Sequence, residues 1–308
     1  MIYPKPLKKG DTIGLIGVSG AMRPSTRENV ELIADKVKGL GFQVKLDESV
    51  GQVYGYLSGP DQVRADAINR MFADPDVDAV YCVRGGYGTL RILDRLDYDL
   101  IRKNPKPFIG YSDITSVHIA LNMRCGLVTF HGPMPSSDDL SSEADSFSRE
   151  SLLRALMMES PLGRIENPKG VPLQCIQKGE AEGQLVGGNL TLVAAAMGTP
   201  YDLDTKGKIL FLEDIGEKFY SLDRMLSKLR LGGKFDDCSG IVLGTFTDCV
   251  EEYPEYSLTL EEIIRDVVMP CGKPIVGGLQ AGHCSPKITL PLGASCRMDA
   301  GSGLLELI

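Results

Sequence analysis

Side chains suited to moving protons are scarce in this chain: its 308 residues include only three histidines, His118, His131 and His283. A mechanism built on imidazole therefore has few ways to be assembled. In Phe108-Ile-Gly-Tyr-Ser-Asp-Ile-Thr115, Ser112 stands where an apolar strand gives way to a helix. At such a junction an exposed hydroxyl meets the unpaired backbone N–H groups of the helix start. Gly110-x-Ser112 matches the first half of a G-x-S-x-G nucleophile elbow, but Ile114 occupies the place of the second glycine, so that signature is not met. Ser112 or Asp113 would serve equally well as a helix cap. His118 follows Ser112 by six residues, about 240° around a helix, which places it badly as that serine's base.

Other segments carry weaker signals. Arg84-Gly-Gly-Tyr-Gly88 follows a buried strand, a position where open α/β sheets meet ligands and where glycines let backbone amides approach them. The same glycines would also suit a plain chain reversal, and neither nucleotide-binding glycine motif is present. Glu213 and Asp214 end an apolar strand, where one carboxylate could be held beside a histidine or could cap the next helix. His283 falls in a Gly/Ser/Pro-rich loop just before a strand. Spacing alone does not unite Ser112, Glu213 and His283, because triads are assembled in different chain orders on different folds. Eight cysteines are scattered singly, without metal-site spacing, and read as small buried hydrophobes.

The elements that must position these groups alternate regularly in the first half. Strands are expected over Thr12–Val18, Phe42–Leu46, Asp78–Val83, Pro107–Tyr111 and Leu127–Phe130. Helices between them include one opened by a Ser25/Glu28 capping box, with Val30, Ile33, Ala34, Val37 and Leu40 at helical spacing. This alternation implies βαβ units and a parallel sheet. Residues 1–134 read as one α/β domain, the Ser/Asp/Glu/Pro-rich stretch 135–172, with one helical patch around Leu152–Met158, as a linker, and 173–308 as a second domain. In that second domain, strands at 183–187, 208–213 and 239–244 and closing strands near 275, 288–290 and 304–308 suggest a mixed sheet.

Composition excludes several classes. With 33 Lys+Arg against 41 Asp+Glu the net charge is -8, the wrong sign for holding nucleic acid or an anionic membrane by charge. No apolar run reaches the roughly 18 residues of a membrane span, and the amino terminus lacks a signal-peptide apolar region. A cytoplasmic protein is expected.

Gly55-Tyr-Leu-Ser-Gly59, Arg84-Gly-Gly-Tyr-Gly88, Ile109-Gly-Tyr-Ser-Asp113, Phe130-His-Gly-Pro133, Gly187-Gly-Asn-Leu190, Phe211-Leu-Glu-Asp-Ile215, Asp223-Arg224 and Gly282-His283 with Thr289-Leu-Pro-Leu-Gly293 occur in this order. Together they closely resemble the LD-carboxypeptidase family of serine peptidases over nearly the whole chain. The resemblance implies an amino-terminal Rossmann-like parallel-sheet domain and a carboxy-terminal mixed β-sheet domain, with the active site between them. It also implies a triad of Ser112, Glu213 and His283, with oxyanion donors from the amides of Gly86 and Asp113; Gly85 is an alternative. It further implies a homodimer that needs no metal or cofactor.

The activity so implied is release of the terminal D-alanine from muropeptide tetrapeptides during cell-wall recycling. A related branch cleaves amide bonds in a peptidyl-nucleotide antibiotic; the Glu-Asp-Ile context of Glu213 looks more like the cell-wall branch. A third reading is a binding protein without catalysis. Recognition of a free substrate carboxylate calls for a cation or amide cluster. Arg84 is one candidate, equally readable as satisfying strand-end carbonyls; His131 reads first as a structural, hydrogen-bonded histidine and otherwise as a residue lining the substrate site through the Phe-His-Gly-Pro turn.

Overall fold

Short apolar runs separated by amphipathic stretches fold into fourteen strands and nine α-helices among the residues described by the computed structural model, which are 1–22, 29–136, 140, 146–159, 161–251 and 253–308. Along the chain they begin with β1 (Thr12–Ile16), α1 (Val30–Gly39), β2 (Gln43–Leu46), α2 (Asp61–Ala73) and β3 (Ala79–Cys82). Next come α3 (Tyr98–Lys103), β4 (Phe108–Gly110), α4 (Thr115–Cys125), β5 (Thr129–His131) and α5 (Ser146–Met157). Then follow β6 (Gly163–Arg164), β7 (Gln174–Gln177), β8 (Glu180–Asn189), α6 (Leu190–Ala196), β9 (Ile209–Ile215), α7 (Phe219–Leu231) and α8 (Lys234–Asp237). The chain finishes with β10 (Gly240–Thr247), α9 (Leu260–Ile263), β11 (Ile275–Gly277), β12 (Leu290–Leu292), β13 (Ser295–Asp299) and β14 (Leu304–Leu307).

These elements divide into two units, Met1–Ser160 with Lys287–Gly293, and Pro161–Pro286 with Ala294–Ile308. The first carries a six-stranded sheet in the order β12-β5-β4-β3-β1-β2, parallel except for the β12 edge. Its central strands are buried from end to end: all four residues of β3 and all three of β4 lie in the core. Strands covered on both faces have no polar side to present, which is why they read as unbroken apolar runs. The strand order reverses between β1 and β3, so the loops after these two strands flank a crevice at their carboxyl ends.

The second unit holds an eight-stranded mixed sheet, β6-β14-β13-β8-β9-β10-β11-β7, with parallel pairing from β8 to β11 and antiparallel pairing on both sides of that block. The α/β class with a parallel-sheet unit and a mixed-sheet unit is thus the architecture of this chain.

Among its described residues, the stretch 135–172 carries the helix that its Leu152–Met158 patch predicts. It contains α5, whose Leu152, Ala155 and Leu156 recur at helical spacing and are buried, and an apolar stripe of that kind needs a packing partner. The division falls between residues 160 and 161, and residues 287–293 return to the first unit, where Leu290 pairs with His131. The Ser25/Glu28 box lies outside the described residues. Helix α1 is capped instead by Asn29, whose Oδ1 accepts from the Glu31 N–H at 2.7 Å. Among the described residues no helix is long and apolar enough to cross a membrane.

Candidate active site

In the first unit the chain leaves β4 through Tyr111 in an extended conformation and turns at Ser112, whose φ of +66° lies in the left-handed region. For a residue with a Cβ that conformation costs on the order of 1–2 kcal/mol. Strained residues of this kind cluster at functional sites, which makes Ser112 a candidate site residue. The turn has the strand-turn-helix form of a nucleophile elbow despite its missing second glycine. Gly110 supplies the tight approach, since a Cβ there would fall 2.9 Å from Ile114 Cγ2. The Gly110 carbonyl is held from behind by the Gly132 N–H at 3.1 Å and by His118 Nε2 at 2.8 Å.

A carbonyl only accepts, so His118 carries its proton on Nε2. The ring is fully buried, which pushes its pKa down to about 4. His118 therefore supports the elbow as a neutral core histidine.

The glycine loop meets the elbow directly. A Cβ on Gly85 would lie 3.0 Å from Ser112 Cβ and 3.2 Å from Ser112 Oγ, so any larger residue there would crowd the serine. Gly86, with φ +130°, passes Gly20 equally closely, at 2.9 Å from an added Cβ to the Gly20 Cα. Asp113 joins the same loop through its side chain: Oδ2 accepts from Ser19 Oγ at 2.6 Å and from the Thr89 N–H at 3.0 Å. Burial pushes the Asp113 carboxyl up, while these hydrogen bonds, together with the Gly88 amide, pull it down.

Sequence reasoning singled out the Asp113 amide and missed this carboxylate, whose role needs three distant segments to converge. It also missed Arg64. This guanidinium is fully buried; Nη1 donates to Val18 O at 2.8 Å and to Gly88 O at 2.9 Å, and Nη2 pairs with Asp61 at 2.5 Å. It pins the end of the glycine loop to the chain leaving β1. The available signal was a charged residue on the same helical stripe as Ile68 and Met71.

Of the two substrate-binding candidates, Arg84 is partly buried, and its Nη1 donates to Ala21 O at 2.8 Å. His131 is 1% exposed, with its ring edge-to-face against Tyr111 at 5.9 Å. Lys287 is equally enclosed in this unit: its ammonium donates to the Tyr111 hydroxyl at 3.0 Å and lies 4.2 Å from the centre of that ring. Tyr111, the residue before Ser112, is thus held on two sides.

In the second unit Glu213 is the fifth residue of β9, opposite Asn189 of β8, and is fully buried. Its Oε2 accepts from His283 Nδ1 at 2.8 Å and from the His283 main-chain N–H at 3.1 Å. Oε1 has no hydrogen-bond partner among the described residues. An ionised carboxylate cannot donate, so the neutral imidazole carries its proton on Nδ1 and its lone pair on Nε2, the tautomer of a general base. Alternation along the strand sends Asp214 to the other face. There Asp214 accepts from Asn189 Nδ2 and from the N–H and Oγ1 of Thr191, each at 2.9 Å, and tethers the start of α6.

Gly282, at φ +106°, brings His283 this close. A Cβ there would fall 2.3 Å from Glu213 Oε2. Gly244 on β10 makes similar room, because its Cβ would meet Ala281 O at 2.6 Å.

A strained serine elbow backed by a glycine loop and a carboxylate-held histidine are the working parts of serine hydrolases. Residues 13–132 match the LD-carboxypeptidase N-terminal domain, and residues 182–298 match the LD-carboxypeptidase C-terminal domain. The chain belongs to the LD-carboxypeptidase family and is a serine carboxypeptidase, a hydrolase. It is 43% identical over 296 residues to the probable murein peptide carboxypeptidase of Bacillus subtilis (strain 168), covering 96% of this chain and 91% of that one. A structure of MccF in complex with glutamyl sulfamoyl guanosine superposes with a TM-score of 0.87 at 26% identity, covering 99% of this chain and 97% of that one. The muramoyltetrapeptide carboxypeptidase from Oxalobacter formigenes gives 0.83 at 29% identity, covering 96% and 97%.

Proposed function

We propose that this protein releases the terminal D-alanine from muropeptide tetrapeptides, with Ser112 as nucleophile, His283 as general base and Glu213 as the acid that orients it. The observation that carries the chemistry is the double hydrogen bond from His283 to the buried Glu213 carboxylate. The substrate class follows the murein peptide carboxypeptidase at 43% identity.

The reading requires His283 to reach the Ser112 hydroxyl. Nε2 takes the Oγ proton as Oγ attacks the carbonyl of the scissile amide, and the resulting imidazolium is stabilised by Glu213. The amides of Gly86 and Asp113 receive the oxyanion; loss of one such donor typically costs about 10²–10³ in rate. His283 then gives its proton to the departing D-alanine amine. A water, deprotonated by the same nitrogen, hydrolyses the acyl-serine and restores Ser112. Arg84, beside the glycine loop, is proposed to meet the substrate's carboxylate, with His131 supporting the site from behind Tyr111.

A second reading, cleavage of a peptidyl-nucleotide amide, draws on the likeness to MccF with its aminoacyl sulfamoyl nucleoside. Both substrates offered to the purified protein separate the two. Loss of one alanine from a tetrapeptide ending in D-alanine, with the glutamyl sulfamoyl nucleoside left intact, supports the first. The reverse pattern replaces it with the second.

A further inference from the structure

The glycine loop and the segment around Tyr56 enclose a cleft of about 860 Å³ in the first unit, lined by Gly20, Met22, Tyr56, Arg84, Gly86 and Tyr87 among others. Gly20 and Met22 follow β1, Tyr56 follows β2, and Arg84, Gly86 and Tyr87 follow β3, so the cleft lies at the carboxyl ends of these strands, beside the point where the strand order reverses, a place where sheets of this type take ligands. Its size and concavity are those of a small-molecule site rather than a flat contact patch. Gly86 is adjacent to Gly85, which packs on Ser112. One lining residue of the cleft is thus next in sequence to a glycine in contact with Ser112.

Two tyrosines form its wall. Tyr56 is 65% and Tyr87 55% exposed, and their rings meet at 70° with centroids 5.6 Å apart. Both are presented by backbone that is already pinned. Tyr56 is the second residue of a two-residue hairpin turn in which Tyr54 and Leu57 exchange N–H···O bonds of 2.8 and 3.0 Å, and Gly55 supplies the positive φ of +61° at the first position. The Tyr56 carbonyl accepts from the Ala21 N–H at 2.9 Å. Tyr87 stands between Gly86 and Gly88, and the Gly88 carbonyl is held by Arg64. Exposed aromatic rings on fixed backbone bind with little further loss of freedom.

Resting on the proposed function, we infer that this cleft is a saccharide subsite in which Tyr56 and Tyr87 hold the pyranose ring of the substrate's N-acetylmuramyl group. Two rings at a steep angle form a corner. A pyranose fits a corner because its apolar C–H faces pack against aromatic rings while its polar rim stays in water. Three stem residues, each spanning about 3.5 Å or more, separate the cut amide from the sugar, so an extended stem reaches on the order of 10–15 Å from Ser112. A cleft lined by Gly86 lies within that reach.

The test compares tetrapeptide with and without the N-acetylmuramyl group on wild type, Tyr56→Ala, Tyr87→Ala and Tyr87→Phe, each checked for native thermal unfolding. Wild type should favour the sugar-linked substrate in kcat/KM by about tenfold, the increment of roughly one good aromatic contact. Each alanine variant should lose most of that preference through KM, and Tyr87→Phe should keep it. No preference in wild type, or an equal fall on both substrates, overturns the subsite.

If neither substrate is cleaved, the proposed reaction fails, and the subsite is then judged by binding. N-acetylmuramic acid detected by saturation-transfer NMR on wild type and lost in Tyr87→Ala sustains it; no binding, or preferential displacement by adenosine monophosphate, overturns it. A wild-type dimer that becomes monomeric in Tyr87→Ala, with substrate preference unchanged, would assign the pair to contact with a second copy instead.

Discussion

Glu213 Oε2 receives both the Nδ1–H and the main-chain N–H of His283, at 2.8 and 3.1 Å. The carboxylate therefore fixes the imidazole ring and the loop that carries it, and the residue between strand and histidine has no latitude. In Gly282→Ala the new methyl would collide with Glu213 Oε2, so the histidine must move. Activity should fall by roughly 10²-fold, the usual cost of an ångström-scale misplacement. Glu213→Gln, which stabilises the wrong tautomer, should cost roughly 10⁴-fold in kcat. Steady-state kinetics on both variants check this; wild-type kcat in either would remove the pairing from the mechanism.

The left-handed Ser112 separates stability from activity. Glycine adopts positive φ without the Cβ penalty, so Ser112→Gly should be more stable than Ser112→Ala by about 1 kcal/mol, although both are inactive. Denaturant unfolding of the two variants measures the difference directly. Equal stability, or alanine the more stable, would mean that the turn is not strained.

Arg64 touches no substrate atom in this account; it positions the glycine loop. Lysine is shorter and lacks the fork that reaches Val18 O, Gly88 O and Asp61 together. Arg64→Lys should therefore lower kcat by roughly ten- to a hundredfold with KM little changed. Arg64→Met, which leaves buried acceptors and Asp61 without their donor, should cost about 3–5 kcal/mol of stability. A lysine variant with full kcat would show that the loop is held by other contacts.

The fold is legible in the sequence to the extent that local patterns decide it. Apolar runs of strand length alternating with 3.6-residue periodicity at Ile33, Ala34 and Val37 suffice to place the parallel sheet. Two features escape such reading because they depend on contacts far apart in the chain. One is the return of Leu290–Leu292 to pair with β5. The other is the convergence of Ser19, Thr89 and Asp113 behind the elbow. The conformation of Ser112 is hidden for a different reason: Ile114 replaces the glycine by which elbows are recognised, and room is made instead by Gly110 and Gly85. His283 and Glu213 lie 70 residues apart, and no spacing rule connects them; only the family's ordered motifs do.

His118 gives the protein a pH-dependent stability. Its pKa falls from 6.5 to about 4 on folding because burial disfavours the imidazolium. The unfolded chain thus binds the extra proton first, and the neutral histidine's contribution is present in full above pH 6.5 and lost as pH falls toward 4. The loss is on the order of 3 kcal/mol. In His118→Gln, whose amide can still donate to Gly110 O, unfolding free energy measured across this window should be flatter by that amount. An unchanged slope would assign the acid sensitivity elsewhere.

The central claim is that Ser112 attacks the amide that holds a terminal D-alanine. Mass-spectrometric product analysis of a D-alanine-terminated muropeptide tetrapeptide, incubated with wild type and with folded Ser112→Ala, tests it most directly. Wild type should release one alanine and Ser112→Ala none. Release of alanine by the variant at the wild-type rate would contradict the account, as would a folded wild type that leaves the tetrapeptide intact.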